Sequence, residues 1–211
     1  IAVIGEFNDW QESEMNKVYD GNFWECYIPE AKPGQMYKYR IYDRNDNPVD
    51  HCDPYGFGME LRPAFASIIR DMDTYRFHDA KWMKNRSVCQ GSPLNIYEVH
   101  LGSWRTKPVF DEQGNPLTPE EIAESNRVAE SWYTYKEIAP MLAEYVKEQG
   151  YNYVEFMPLS EHPSDQSWGY QNTGFFSPTS RYGTADDLKE MIDILHQHNI
   201  GTILDFVPVH F

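Results

Sequence analysis

From residue 94 onward the sequence alternates between short apolar runs and helical periods, and that alternation constrains the fold more than any other feature. Leu94 to Leu101 (LNIYEVHL) reads as a strand. After a long loop, Ile138, Met141, Leu142, Tyr145 and Val146 recur at helical spacing, and Gly150 closes the segment. Pro140 predicts that this helix starts only shortly before it or bends there. Asn152 to Met157 reads as a second strand. Thr184 then reads as an N-cap, with Asp187 three residues on as its capping-box partner. Leu188, Met191, Ile192 and Leu195 form the apolar stripe of that helix, and Gly201 to Val207 is a third strand. The order is β-α-β-α-β, with strands that read as buried on both faces. This predicts parallel strands joined by helical crossovers. Two architectures stay open at this point, a doubly wound open sheet and a (β/α)8 barrel. Three strands do not close a barrel, which takes about 250 residues. The long stretches 102–134 and 158–183 follow strand C-termini, where both architectures place their sites.

Residues 1–75 follow a different pattern and read as an all-β sandwich. Ile1 to Ile4 is an apolar run ending at Gly5. Asn22 to Pro29 (NFWECYIP) is aromatic and apolar after an Asp20-Gly21 turn. Gln35 to Asp43 (QMYKYRIYD) alternates, with Tyr37, Tyr39 and Ile41 on one face, as in a half-buried antiparallel strand. Lys32-Pro33-Gly34 and Asn45 to Pro48 are turn clusters. Short strands at this spacing suggest a sandwich. The expected organisation is a β-sandwich over 1–75, a linker over 76–93, and an α/β region over 94–211. Thr106 to Glu130 is the most polar and acidic stretch and reads as an exposed insertion.

Composition narrows the functional classes. The net charge of −15 argues against nucleic acid and anionic membrane as partners, because both repel an acidic surface. No apolar run approaches the ~20 residues of a membrane helix. The chain begins with Ile1 and carries no secretory signal pattern, so Ile1 is not expected to be the native start. Cys26, Cys52 and Cys89 are odd in number and form no CxxC pair, which argues against a disulfide framework or a zinc site. Free thiols suit a reducing cytosol. No GxGxxG or GxxxxGK[ST] sequence supports nucleotide binding, and no GxSxG, HExxH or cysteine-nucleophile signature appears.

Some residues could carry chemistry. Asp205 lies late in an otherwise apolar strand, where a carboxylate has to be paired, ligated or facing a cleft. His210 follows five residues later in the loop. Trp168-Gly169-Tyr170 sets a glycine between two aromatics, which allows a tight turn with both rings at a cleft. Flat rings suit the apolar faces of sugars; equally, they can pin a long loop to the body. Glu161, His162 and Asp165 match no standard metal-ligand spacing and read as a solvated loop. Glu98 and His100 point the same way from the first strand and read as packed hydrogen-bond partners.

The motifs EHP…WGYQ, SPTSRYGT and DFVPVHF within residues 151–211 resemble the early catalytic region of bacterial 1,4-α-glucan branching enzymes of the α-amylase superfamily. NIYEVHLGSWR is similar to that family's first barrel strand. IAVIGEFNDW, GNFWECYIP, GQMYKYRIYD and DPYGF resemble the carbohydrate-binding β-sandwich that precedes the barrel. The resemblance covers most of the chain and implies a (β/α)8 barrel cut after its third strand. It implies that Asp205 and His210 belong to the sugar site beside the cleaved bond. There His210 would hydrogen-bond a sugar hydroxyl, and Asp205 would order the catalytic groups. Tyr170 would stack beneath the same sugar, with Trp168 beside it. Trp10 and Trp24 are the aromatic candidates for glycan contact in the sandwich. Val209 stands where many superfamily members carry Asn, a variation common among branching enzymes.

The family chemistry is a retaining double displacement by two carboxylates about 5–5.5 Å apart. The implied substrate is an α-glucan, glycogen or amylose, and no metal or organic cofactor is required. The nucleophilic Asp, the acid Glu and a third Asp follow later strands in the family, and none of those motifs lies in these residues. The chain alone is therefore expected to bind glycan without catalysis. A debranching or trehalose-forming relative is the rival within the superfamily. The open edge of the third strand is expected to promote self-association.

Overall fold

The computed structural model describes residues 1–86 and 91–209. In chain order the strands are β1 (Ala2–Gly5), β2 (Ser13–Glu14), β3 (Asn16–Val18), β4 (Phe23–Glu25), β5 (Met36–Tyr42), β6 (Pro48–His51) and β7 (Ser67–Ile68), then β8 (Ile96–Val99), β9 (Tyr153–Phe156), β10 (Ser160–Glu161), β11 (Gly174–Pro178) and β12 (Gly201–Leu204). The helices are α1 (Ala80–Asn85), α2 (Leu101–Trp104), α3 (Pro119–Glu124), α4 (Tyr135–Glu148) and α5 (Ala185–Gln197). Two compact units result. The first is Ile1–Thr74 and Ser160–Ser180 with the described residues from Val207 onward; the second is Tyr75–Leu159 and Arg181–Phe206. Among the described residues no helix is long and apolar enough to cross a membrane.

The first unit is built on an antiparallel sheet in the order β2-β1-β5-β6, with β7 also paired to β5. Ala2, Val3 and Ile4 are buried at its centre. β3 and β4 form a separate hairpin whose turn, Tyr19–Gly21, runs through three consecutive left-handed residues. The aromatic run predicted over 22–29 pairs only at Phe23–Glu25. β5 is antiparallel, as its alternation predicts. Tyr37 and Tyr39 both aim hydroxyls at Asp53, at 2.5 and 3.4 Å. The turn after β5 is closed by Asp43, whose carboxylate accepts from the amides of Asn45 and Asn47 and the side chain of Asn47.

The second unit carries the β-α-β-α-β order as a parallel sheet, β12-β9-β8. The strands advance in sequence order with no reversal. Right-handed crossovers then put α4 and α5 on the same side of the sheet. A doubly wound sheet needs a reversal; a barrel does not. Ile138, Ala139, Leu142, Ala143 and Val146 of α4 pack with Leu188, Met191 and Leu195 of α5 and with Val154 and Phe156 of β9, all buried. The expected burial of the strands on both faces is corrected. Ile96 is 39% and Leu204 52% exposed, because the helices cover one face only.

Local chemistry sets the helix starts. Thr184 accepts from the Asp187 amide, and the Asp187 carboxylate accepts from the Thr184 amide, the predicted capping box. Thr134 and Glu137 repeat it at α4. That cap starts α4 five residues before Pro140, so the proline sits in the second turn and removes the bond to the Lys136 carbonyl. The third strand ends at Leu204 rather than Val207.

The stretch 106–130 is ordered by its own side chains. Asp111 closes a hairpin tip by accepting from Gln113 and Asn115. Thr118 and Glu121 cap α3, and Arg127 pairs with Glu130.

α1 docks on α5 through buried polar groups. Asp79 meets His196 at 2.7 Å, and the Trp82 ring stacks on His196 at 3.7 Å. Asp193, 1% exposed, accepts from the Tyr75 hydroxyl at 2.7 Å and from the His78 amide at 3.0 Å, with the His78 ring at 3.0 Å. Burial alone would raise the Asp193 carboxyl. The hydrogen bonds from Tyr75 and His78 outweigh it and hold the carboxyl below its ordinary value. A group lowered in this way contributes stability above its unfolded pKa and loses it as pH falls through the folded one. Asp193→Asn is therefore expected to lower the unfolding free energy at pH 7, with the gap to wild type closing below about pH 4. Urea melts at pH 7, 5 and 3 check this; a gap constant over that range would contradict it.

Candidate functional site

The loop after β9 belongs to the first unit and runs through β10, a short turn and β11. β10 and β11 pair with a register shift between Ser160 and Glu161. The Thr173 amide donates to the Glu161 carbonyl at 2.8 Å, drawing the ends of the turn together. Between them the backbone is left-handed at Trp168, Gly169 and Gln171, with φ of 57°, 92° and 61°. The Tyr170 amide donates to the Ser167 carbonyl at 3.1 Å. This coil leaves the Trp168 ring 60% exposed, and Tyr170 half-buried.

Glu161 and His162 correct the expectation of a solvated loop, being 2% and 3% exposed. The Glu161 carboxylate accepts from the Thr179 hydroxyl at 3.0 Å, the Ser180 amide at 2.6 Å and the His162 amide at 3.1 Å. His162 Nδ1 donates to the Ser160 carbonyl at 2.9 Å. Polar donors built into the loop itself make this burial possible. Asp165 receives a two-pronged contact from Arg62, with Nε to Oδ1 at 2.7 Å and Nη2 to Oδ2. Among the described residues no cluster of His, Cys, Asp and Glu is arranged to hold a metal.

The second unit presents the C-terminal edge of its sheet. His100, just past β8, contacts the Ser103 hydroxyl through Nδ1 at 2.8 Å. Burial, and then the Arg181 charge, push its pKa below the ordinary value, favouring the neutral ring. Glu98 is exposed rather than packed. Gly102 lies beneath the Tyr182 hydroxyl, where a Cβ would stand 2.5 Å from the oxygen. Asp205 follows the end of β12; its amide donates to the Phe156 carbonyl at 3.0 Å, and the residue is half-buried.

The predicted residues thus fall in three places. Trp168 and Tyr170 lie in the first unit, Asp205 lies in the second, and His210 lies outside the described residues, as does Cys89. Cys26 and Cys52 are free thiols, and burial raises both. In the sheet unit Trp10 and Trp24 have different surroundings. Trp10 is left-handed at φ 59° and 38% exposed, with the Lys38 ammonium 5.9 Å from its ring. Trp24 lines a mainly apolar pocket of about 420 Å³ with Met15, Tyr39, Ile41, Asp53 and Tyr55. Burial, and then Asp53, push the Tyr39 hydroxyl up to about 12.

Residues 1–56 match the model of carbohydrate-binding module 48 (isoamylase N-terminal domain), and residues 130–211 match that of the alpha amylase catalytic domain. The chain is therefore an N-terminal carbohydrate-binding β-sandwich followed by the first part of an alpha-amylase-type (β/α)8 barrel. Along its whole length it is similar to 1,4-alpha-glucan branching enzymes. It is 44% identical to that of Francisella philomiragia, 42% to that of Fusobacterium nucleatum and 42% to that of Thermosynechococcus vestitus, with all of this chain covered each time. The chain spans about a third of the length of these curated relatives, from 28% to 32%. A crystal structure from Salmonella typhimurium that carries an alpha-amylase label shares the fold, with a TM-score of 0.67 at 22% identity over 97% of this chain and 29% of that one.

Asn172, two residues beyond Tyr170, drew no attention in the sequence. It is fully buried, and neither amide atom has a hydrogen-bond partner among the described residues. A buried amide in that state costs about 1–3 kcal/mol. Asn172→Val is expected to raise the unfolding free energy by about 1 kcal/mol, as read by denaturant melts. A loss of similar size would contradict the assignment.

Proposed function

We propose that the protein carrying this chain is a glucan branching enzyme. It would cut an α-1,4-glucan, hold the cut segment covalently, and pass it to a 6-hydroxyl to form an α-1,6 branch. The observation that carries this reading is the identity of 39–44% to branching enzymes across the entire chain.

In the first step a carboxylate attacks the anomeric carbon. The C1–O4 bond breaks, and an acid carboxyl gives its proton to the leaving oxygen. In the second step the 6-hydroxyl of an acceptor attacks the same carbon. It gives its proton to that carboxylate, now a base, and the C1–O6 bond forms as the covalent link breaks. Two inversions retain the configuration, and no cofactor is consumed.

Within this scheme Tyr170, with Trp168 beside it, stacks on the sugar next to the cleaved bond. His210 donates to a sugar hydroxyl, and Asp205 orders the catalytic groups. The motifs that carry the family's reacting carboxylates are not among these 211 residues, which supports the reading that the chain by itself would bind glycan without turnover. The partition into 1–75, 76–93 and 94–211 belongs to this proposal, as do Trp10 and Trp24 as glycan contacts and the cytoplasm as compartment. The exposed Ile96, Leu204 and Phe206 support self-association of the isolated chain.

A second reading, a glycan-binding module without catalysis, draws on the carbohydrate-binding match over 1–56. Incubation of the full-length protein with amylose, followed by linkage analysis, separates the two. New α-1,6 linkages are expected; glycan binding without them favours the module. Loss of α-1,6 linkages from glycogen in a parallel incubation, or trehalose release, would assign a different superfamily activity. Tyr170→Ala is expected to lower kcat/KM at least tenfold, about 1.4 kcal/mol of transition-state binding. Unchanged kinetics would remove Tyr170 from the site.

A further inference from the structure

We propose that Arg62 is a positioning residue for the sugar-stacking turn: its guanidinium grips Asp165 and so sets the coil that carries Trp168 and Tyr170. This rests on the reading of Tyr170 as a sugar-stacking residue. It goes beyond that reading by giving the segment between β6 and β7 a part in positioning the turn.

The turn needs an external hold. Trp168 and Gln171 are both left-handed without being glycine, a conformation that is costly for such residues and persists only when the surroundings impose it. Asp165 opens the short helical turn Asp165–Ser167 that leads directly into this coil. Arg62 reaches it with two parallel N–H donors, a geometry that fixes direction as well as distance. The two side chains are 22% and 27% exposed, so the pair is only partly screened by water.

The segment that carries Arg62 is itself anchored. The Ile68 amide donates to the Gly58 carbonyl, the Glu60 amide to the Ala66 carbonyl, and the Ala66 amide to the Glu60 carboxylate. The same segment meets the loop at further points. Cys52 Sγ donates to the Thr173 carbonyl at 3.4 Å, the Ser180 hydroxyl donates to the Met59 carbonyl, and Tyr55 stacks on Phe176 at 5.9 Å. Met59 packs against Gly174 so closely that a Cβ there would stand 2.3 Å from the sulfur. Those contacts hold the stems of the loop. The Arg62–Asp165 pair falls on the turn itself, between the stems.

The test uses the full-length protein with Arg62→Ala, Arg62→Lys, Asp165→Asn and the Arg62→Ala/Asp165→Asn double variant. Kinetics on amylose are combined with hydrogen exchange of the peptide covering 164–173. Arg62→Ala is expected to raise KM about tenfold and to accelerate exchange in that peptide about tenfold. Arg62→Lys should fail to restore either, because an ammonium cannot supply two parallel donors. The double variant should be no worse than Arg62→Ala, and Arg62→Ala should add nothing in a Tyr170→Ala background. Wild-type KM and wild-type exchange in Arg62→Ala would overturn the proposal. Accelerated exchange over the whole chain would overturn it too, by showing a general loss of stability. Wild-type kinetics for Tyr170→Ala would overturn the stacking role alone; exchange over 164–173 would still decide whether Arg62 holds the turn.

Discussion

A strand cannot reach a parallel neighbour through a tight turn, and the second unit is organised around that constraint. β8, β9 and β12 run in the same direction and advance in sequence order, so both connections are helices on one side. The apolar seam between α4 and α5 fills with Ile138, Leu142, Val146, Met191 and Leu195, while the far side of the sheet keeps Ile96 and Leu204 in contact with water. The strand tips that carry His100 and Asp205 inherit their direction from this winding. Because the strands are parallel and Val99 and Leu204 both stand opposite Phe156, His100 and Asp205 lie at the same edge of the sheet.

In the first unit a buried carboxylate plays the comparable part. Glu161 draws in the amides of His162 and Ser180 and the hydroxyl of Thr179, so residues on both sides of the aromatic turn converge on one side chain. A carboxyl group so fully enclosed is tolerable only with that set of partners. It closes the turn on the loop's own hydrogen bonds.

What the sequence made legible was whatever rests on neighbours along the chain. The Thr184–Asp187 cap, the helix stripes and the strand order are written in spacing, and all appear in the structure. Pro140 bounded the start of α4 only loosely, to a position shortly before it, and the Thr134 cap sets that start at Tyr135. Burial of charge was not legible. Glu161 and His162 look like surface residues until Thr179 and Ser180, nearly twenty positions away, fold back on them. The Asp79–His196 pair, 117 positions apart, and the Trp82 ring over it left no periodic trace. The aromatic candidates Trp10, Trp24, Trp168 and Tyr170 all fall in the first unit, a gathering of distant segments that no local pattern encodes.

The turns at Asp43–Asn47 and Asp111–Asn115 use one device, a carboxylate that gathers the amides two and four residues ahead and the closing asparagine's side chain. One lies in the β-sandwich and the other in the acidic stretch beside the barrel strands. Neither relies on the core for its shape. A hairpin tip closed in this way is modular. Because every bond falls within five consecutive residues, the whole tip could be exchanged as a unit at constant length while the strands below it keep their register, which makes these tips natural places for the chain to diverge.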